Sequence, residues 1–184
     1  MKYCEYKVSR DLAWKILLQE RITELPVSIT GICKNMGIKV KYYVPKDDNS
    51  GLSVIIGGQP VIFVNKNDSV ERQRFTVAHE LGHIILGHVG KYRLVNREPS
   101  GSDNPIEQAA NVFASRLLAP ACVLWGCGVK TAGDISYLCR ISMPAAEYRM
   151  ERLKVLYDRS KFLTSSLELK VYLNFERYIK ENKL

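Results

Sequence analysis

His79-Glu80-Leu81-Gly82-His83 reads HExxH, and the three histidines of the chain, 79, 83 and 88, all lie within this neighbourhood. On an α-helix, positions four apart sit about 40° apart around the axis, so His79 and His83 leave one face and can grip one metal ion. Glu80 stands beside them, on the flank where a metal-held water would sit. That reading needs a helix, and the flanking residues supply one. Asp68 with Glu71 three residues on has the form of a capping box. Phe75, Ala78, Leu81, Gly82 and Ile85 then recur at helical spacing as a core face, and Gly87 offers a stop.

Zinc hydrolases use three protein ligands and leave the fourth position to water, so a third group is required. His88 lies nine positions from His79, about 180° around a continuous helix, and Gly87 ends the helix first. A metzincin would also want glycine and histidine where Leu86 and Val89 stand. His88 is therefore expected as a polar group at a helix end. Glu107 suits the role better. The run from Asn104 has an N-cap Asn, Pro105 at the first helical position and a helix-forming sequence through Ala114. Glu107 and Asn111 share one face at i, i+4 spacing, and Ala110 and Ala114 are small enough to let two helices approach. Glu107 could instead complete a capping box with Asn104. That alternative leaves Asn111 unexplained, whereas its amide oxygen could accept a proton from a ligating imidazole and orient the ring.

The segment Arg74-Phe75-Thr76-Val77-Ala78-His79-Glu80-Leu81-Gly82-His83, followed by Glu107 through Asn111, Phe113-Ala114 and Leu117-Leu118-Ala119-Pro120, resembles the ImmA/IrrE family of metallopeptidases. The two motifs together are far more specific than HExxH alone. The resemblance implies an α+β fold, a mostly helical zincin-like domain with the HExxH helix in the active site. It implies one Zn2+ per chain, held by His79, His83 and Glu107, with Glu80 as catalytic base. It also implies a selective endopeptidase whose protein substrate is a helix-turn-helix transcriptional repressor, often encoded beside it on a mobile element. Many relatives place a histidine closer to the core motif than His88, so the resemblance assigns His88 no role.

The length of 184 residues suits one domain with a small appendage: a peptidase domain over 1–157 and a C-terminal amphipathic helix over 158–184. With 46% hydrophobic residues and no apolar run approaching a membrane span, a soluble globular protein without a membrane partner is expected. Met1-Lys2-Tyr3-Cys4-Glu5 has no apolar signal region, which points to the cytoplasm. Five irregularly spaced cysteines fit reduced thiols, and the Cys122/Cys127 pair is read as buried thiols rather than a metal site. The net charge of +8 comes from scattered Lys and Arg. It reads as a solvated basic surface, and direct nucleic-acid binding is not expected.

Helices are expected over residues 10–22, with Leu12, Trp14, Ile16 and Leu17 inward, and over 26–36, ended by Gly37. Strands over 38–44, 52–56 and 61–65 would make a small three-stranded, mostly antiparallel sheet, with a hairpin around Gly57-Gly58-Gln59-Pro60. An edge strand near the metal could pair with an extended peptide. Residues 91–104 read as a loop that would wall or cover the cleft, and Tyr92 and Arg93 within it could stabilise an oxyanion. Residues 134–140 and 143–157 form two helices around a tight turn. They either pack through Leu138, Ala145, Tyr148, Met150, Leu153 and Leu156 or present Arg149 and Arg152 to a DNA groove. The tail, 165–183, opens with a Ser165/Glu168 capping box and carries Leu167, Val171, Phe175, Tyr178 and Ile179 as one stripe. It should be an amphipathic helix, packed on its own domain or docked on a partner.

Overall fold

Gly57 and Gly58, with φ of +57° and +79°, close a two-residue hairpin. Positive φ at both central positions matches the right-handed twist of the flanking strands, which residues other than Gly, Asn and Asp resist. The hairpin joins β2 (Gly51–Ile56) to β3 (Gln59–Asn65), and β1 (Lys39–Tyr43) completes the sheet in the order β1-β3-β2. In this computed structural model, residues 3–46, 48–89 and 104–184 are described. One strand pairing is antiparallel, as expected, but β1 pairs with β3 in parallel, so the sheet is mixed rather than mostly antiparallel. The reason lies in β3, whose Val61, Ile62 and Val64 are buried and claim the centre. β1 is then left to the far side of β3. Pro60 is tolerated there because β1 begins pairing only at Val61, so its missing N–H interrupts no ladder on that side.

The described chain divides into two compact units, Met1–Leu12 with Ile29–Ala114, and Ala13–Ser28 with Ser115–Leu184. This division does not coincide with the boundary at 157/158 suggested by the sequence. The first helix, α1, spans Tyr3–Gln19; in the first unit α2 (Ile29–Asn35), ended at Gly37 with φ +70°, contacts both β1 and α3 (Val70–Ile85), and α3 lies on β2 and β3. Ser69, not Asp68, is the N-cap of α3: its hydroxyl accepts from Arg72 N at 3.2 Å. Asp68 still belongs to the preceding turn, where its N–H reaches Asn65 O. The buried arc of α3, Thr76 to Ala78 and Glu80 to His83, is wider than a single stripe, and Phe75 and Ile85 are only half-buried. A helix with a sheet below and helices beside it buries more than one face.

The second unit holds α5 (Ala121–Gly126), α6 (Ala132–Cys139), α7 (Met143–Asp158), α8 (Ser166–Asn174) and α9 (Glu176–Glu181). Helix α5 was not expected from the sequence. The tail is two helices instead of one, broken at the buried Phe175 (φ −101°, ψ 8°). An unbroken helix over those residues would run roughly 24 Å, far beyond the short α5 it packs on. The break lets Tyr172 and Ile179 both close on Gly126, where a Cβ would come within 2.8 and 3.0 Å of them. Val171, Phe175 and Ile179 are buried within this unit, and Leu184 N–H reaches Cys127 O at 2.8 Å. Ser165 caps α8 as anticipated.

One open alternative narrows and one expectation changes here. Arg149 is only 1% exposed and donates from Nε to Ala119 O at 2.8 Å, so it does not face a DNA groove. Arg152 is exposed and lies over the Tyr148 ring. The α6–α7 pair is a packing unit built on Leu138, Ala146, Met150 and Leu153, with Tyr148 outside it and Ala145 and Leu156 half-buried. The stretch Pro105–Gly126 also matches a membrane span by length and composition, which the sequence reading had not anticipated. Most of it is buried inside the protein and it carries Glu107, which marks a core helix.

Candidate metal centre

Two glycines set the distances from which the site is built. At Gly51 a Cβ would collide with Thr76 Cγ2 and Phe63 O, so β2 crosses α3 with no room for a side chain. Two residues along a strand advance roughly 6.7 Å and four along a helix about 6 Å. Contact between Gly51 and Thr76 therefore carries Ser53 to Glu80, and Ser53 Oγ donates to Glu80 Oε2 at 2.8 Å. On another side of α3, a Cβ on Gly82 would lie 3.0 Å from Phe113 Cδ1 and 3.3 Å from Ala110 Cα and O. Helix α4 (Pro105–Leu118) thus passes close to the middle of the HExxH turn. One turn back from Ala110, Glu107 reaches both histidines.

Glu107 Oε2 is 3.1 Å from His79 Nε2, Glu107 Oε1 is 3.3 Å from His83 Nε2, and the two Nε2 atoms are 2.9 Å apart. Asn104 Oδ1 accepts from Ile106 N at 3.0 Å, so the α4 terminus is capped while both Glu107 oxygens face the imidazoles. Asn111 Oδ1 lies 2.9 Å from His79 Nδ1. An amide oxygen only accepts, so His79 carries its proton on Nδ1 and presents a lone pair from Nε2. Two ring nitrogens and a carboxylate then converge with lone pairs inward, an arrangement that a cation relieves. In a tetrahedral site with bonds of about 2.0–2.1 Å, ligand atoms would be roughly 3.3 Å apart. The observed separations are close to that size, with the two edges to Glu107 ending on different carboxylate oxygens. Among the described residues, His79, His83 and Glu107 form a His/carboxylate group that could hold a metal ion.

Without a cation, an N–H turned inward from His79, and then from His83, holds the Glu107 carboxyl well below the usual carboxylate range, and a bound cation would take the place of those N–H groups. Glu107 is an anion at neutral pH, ready to bind a cation. His83 is buried while the side chains of His79 and Glu107 keep some exposure, so the group is open on one side. Glu80 is fully buried beside it. The described cysteines are not part of this group: burial pushes the Cys122 thiol up to about 12 and Cys127 to about 11. Both are neutral thiols at physiological pH, as the sequence reading held, and neutral thiols are poor ligands.

His79, Glu80, His83, Glu107 and Asn111 are thus brought together. Tyr92, Arg93 and nearly all of the expected 91–104 loop lie outside the described residues. Sequence reasoning missed Ser53, although a lone hydroxyl within Leu52-Ser53-Val54-Ile55-Ile56 was a usable signal. His88, expected as a polar group at a helix end and not as a ligand, stands outside the triad, with its Nδ1 3.0 Å from His83 Nδ1.

With the geometry established, comparison with known proteins adds one match. A peptidase family model described as the IrrE N-terminal-like domain matches residues 33–151, more than half of the chain. The match includes every residue of the metal group and stops inside α7, short of α8 and α9. No curated protein matches the chain.

Proposed function

The chain belongs to the IrrE N-terminal-like family of metallopeptidases, and on that premise we propose that it is a zinc endopeptidase that cuts a helix-turn-helix transcriptional repressor. The observation that carries the catalytic part is the convergence of His79, His83 and Glu107 next to a buried Glu80. Two histidines and a glutamate with one open position are a donor set of catalytic zinc. Bound there, the metal supplies a Lewis acid for the peptide carbonyl and lowers the pKa of a water toward ~7.

The chain's own residues do the rest. Glu80 takes the proton from the attacking water and returns it to the nitrogen of the breaking C–N bond, which leaves as an amine. Ser53 holds Glu80 through Oε2, limiting the carboxylate to a narrow range of positions. Asn111 keeps Nε2 of His79 turned to the metal. β2 forms one edge of the sheet and carries Ser53, so an extended substrate paired along it would bring its backbone past Glu80. A repressor as substrate rests on the family resemblance. The burial of Arg149 is a reason to place the partner contact in protein rather than in DNA.

The test is to load the purified chain with zinc and incubate it with the candidate repressor. One zinc per chain and a single cut, lost by about 10²–10⁴-fold in Glu80→Gln with zinc retained, would support the reading. Full cleavage by Glu80→Gln would remove that residue from the mechanism. Absence of metal uptake would sink the catalytic reading altogether.

A further inference from the structure

We propose that His88 is a positioning residue for the metal centre, holding the ring of His83 in the tautomer that turns Nε2 toward His79 and Glu107. The proposal rests on the reading of the triad as a metal site. A continuous helix would carry His88 to the far side from His79, but the helix does not continue. Gly87 takes φ +73°, Gly87 N–H bonds Ile84 O at 3.1 Å, and His88 N–H returns to His83 O at 2.9 Å. This is the pairing of a Schellman C-cap, open to glycine because it lacks a Cβ. The reversal folds His88 back onto the residue it would otherwise have left.

The side chain follows the backbone. His88 Nδ1 is 3.0 Å from His83 Nδ1, with ring centroids 5.1 Å apart and planes at 63°. Only one of two facing nitrogens can carry the proton in that hydrogen bond. For His83 to offer a lone pair from Nε2, its Nδ1 must be the donor and His88 Nδ1 the acceptor. Each ligating histidine is therefore braced at Nδ1 from a different element: His79 by Asn111 on α4, and His83 by the residue just past the end of its own helix. His88 also lines a cavity of about 320 Å³ whose walls include Val8, Ser9, Leu86, Ile106 and Ala109. Apart from the Ser9 hydroxyl these walls are apolar, so the direct acceptor for His83 Nδ1 is the His88 ring itself.

The experiment compares His88→Leu with His88→Gln, which keeps an acceptor. Zinc affinity is measured by chelator competition, the visible spectrum is recorded with Co2+ in place of zinc, and thermal unfolding is followed without metal. The expected result is a zinc affinity about 10–100-fold weaker and an altered Co2+ spectrum for His88→Leu, with His88→Gln close to the unaltered chain. Equal affinity and spectrum in His88→Leu would overturn the proposal. So would equal losses in both variants that track a fall in metal-free unfolding temperature, because that marks a structural role. If His88→Leu does not fold, His88→Met takes its place under the same criteria. Failure of the unaltered chain to bind zinc would instead defeat the metal reading, and this inference with it.

Discussion

Two helix pairs in this molecule bury charged or ionisable groups, and they do so to different ends. In α3 and α4, Glu80 is fully buried and His83 nearly so. The donor atoms of His83, with those of His79 and Glu107, converge on one partly open point, and Ser53 holds Glu80 on the same helix. In α6 and α7, Arg149 is as deeply buried, but its Nε donates to the Ala119 carbonyl, and its role there is to join segments. Burial of a charge is thus no sign of function by itself. What separates the pairs is whether several groups of complementary chemistry share one target or each has a structural partner.

The largest expected effect that would break this contrast is at Glu80. Glu80→Gln should lose cleavage by about 10²–10⁴-fold with zinc binding and unfolding temperature little changed. A variant that unfolds instead would make Glu80 a structural residue like Arg149. The reciprocal change, Arg149→Ala, removes a buried hydrogen bond and leaves a cavity, and should cost about 3 kcal/mol in urea unfolding. It should leave zinc affinity alone; a folded Arg149→Ala with normal stability and weakened duplex binding would return α6–α7 to the DNA reading. Gly82→Val tests the closeness of α3 to α4. Its side chain would meet Phe113 and the Ala110 backbone, and should cost about 2 kcal/mol and weaken zinc as Glu107 is pushed away. Stability lost without any change in zinc affinity would uncouple the packing from the site.

Asn111→Leu sharpens the comparison within the metal pair. It should weaken zinc by about 10–100-fold in chelator competition while Glu107 and both histidines remain. No change would show that the Asn111–His79 contact does not orient the ring. The smallest effect belongs to Arg152→Ala, an exposed residue against Tyr148, which should stay within about 0.5 kcal/mol in unfolding and leave duplex binding and cleavage unchanged.

Much of the site was legible because its information is local. HExxH needs only the helical period to place His79 and His83 on one face, and Glu107 with Asn111 needs the same period. The Gly57-Gly58 turn and the stops at Gly37 and Gly87 follow from the freedom of glycine at positive φ. Other features were hidden because they depend on which segments meet. Ser53 is 27 positions from Glu80, and Arg149 is 30 from Ala119. No periodicity within one element predicts either contact. The parallel pairing of β1 with β3 and the break at Phe175 were hidden for the same reason, since each answers to a neighbour far away in sequence.

His88 shows where the line falls. The sequence by itself determined that a helix would end at Gly87 and that a histidine would follow. It also offered the candidate donors, two histidines one turn apart and a glutamate, because donor type and helical spacing are properties of the chain alone. Only the tertiary structure decided that Glu107 would meet the histidines, that Ser53 would hold Glu80, and that His88 would turn back onto His83. Those are distances of a few ångströms between separate elements. They are set by how closely backbones can pass at Gly51 and Gly82, and by the left-handed turn at Gly87.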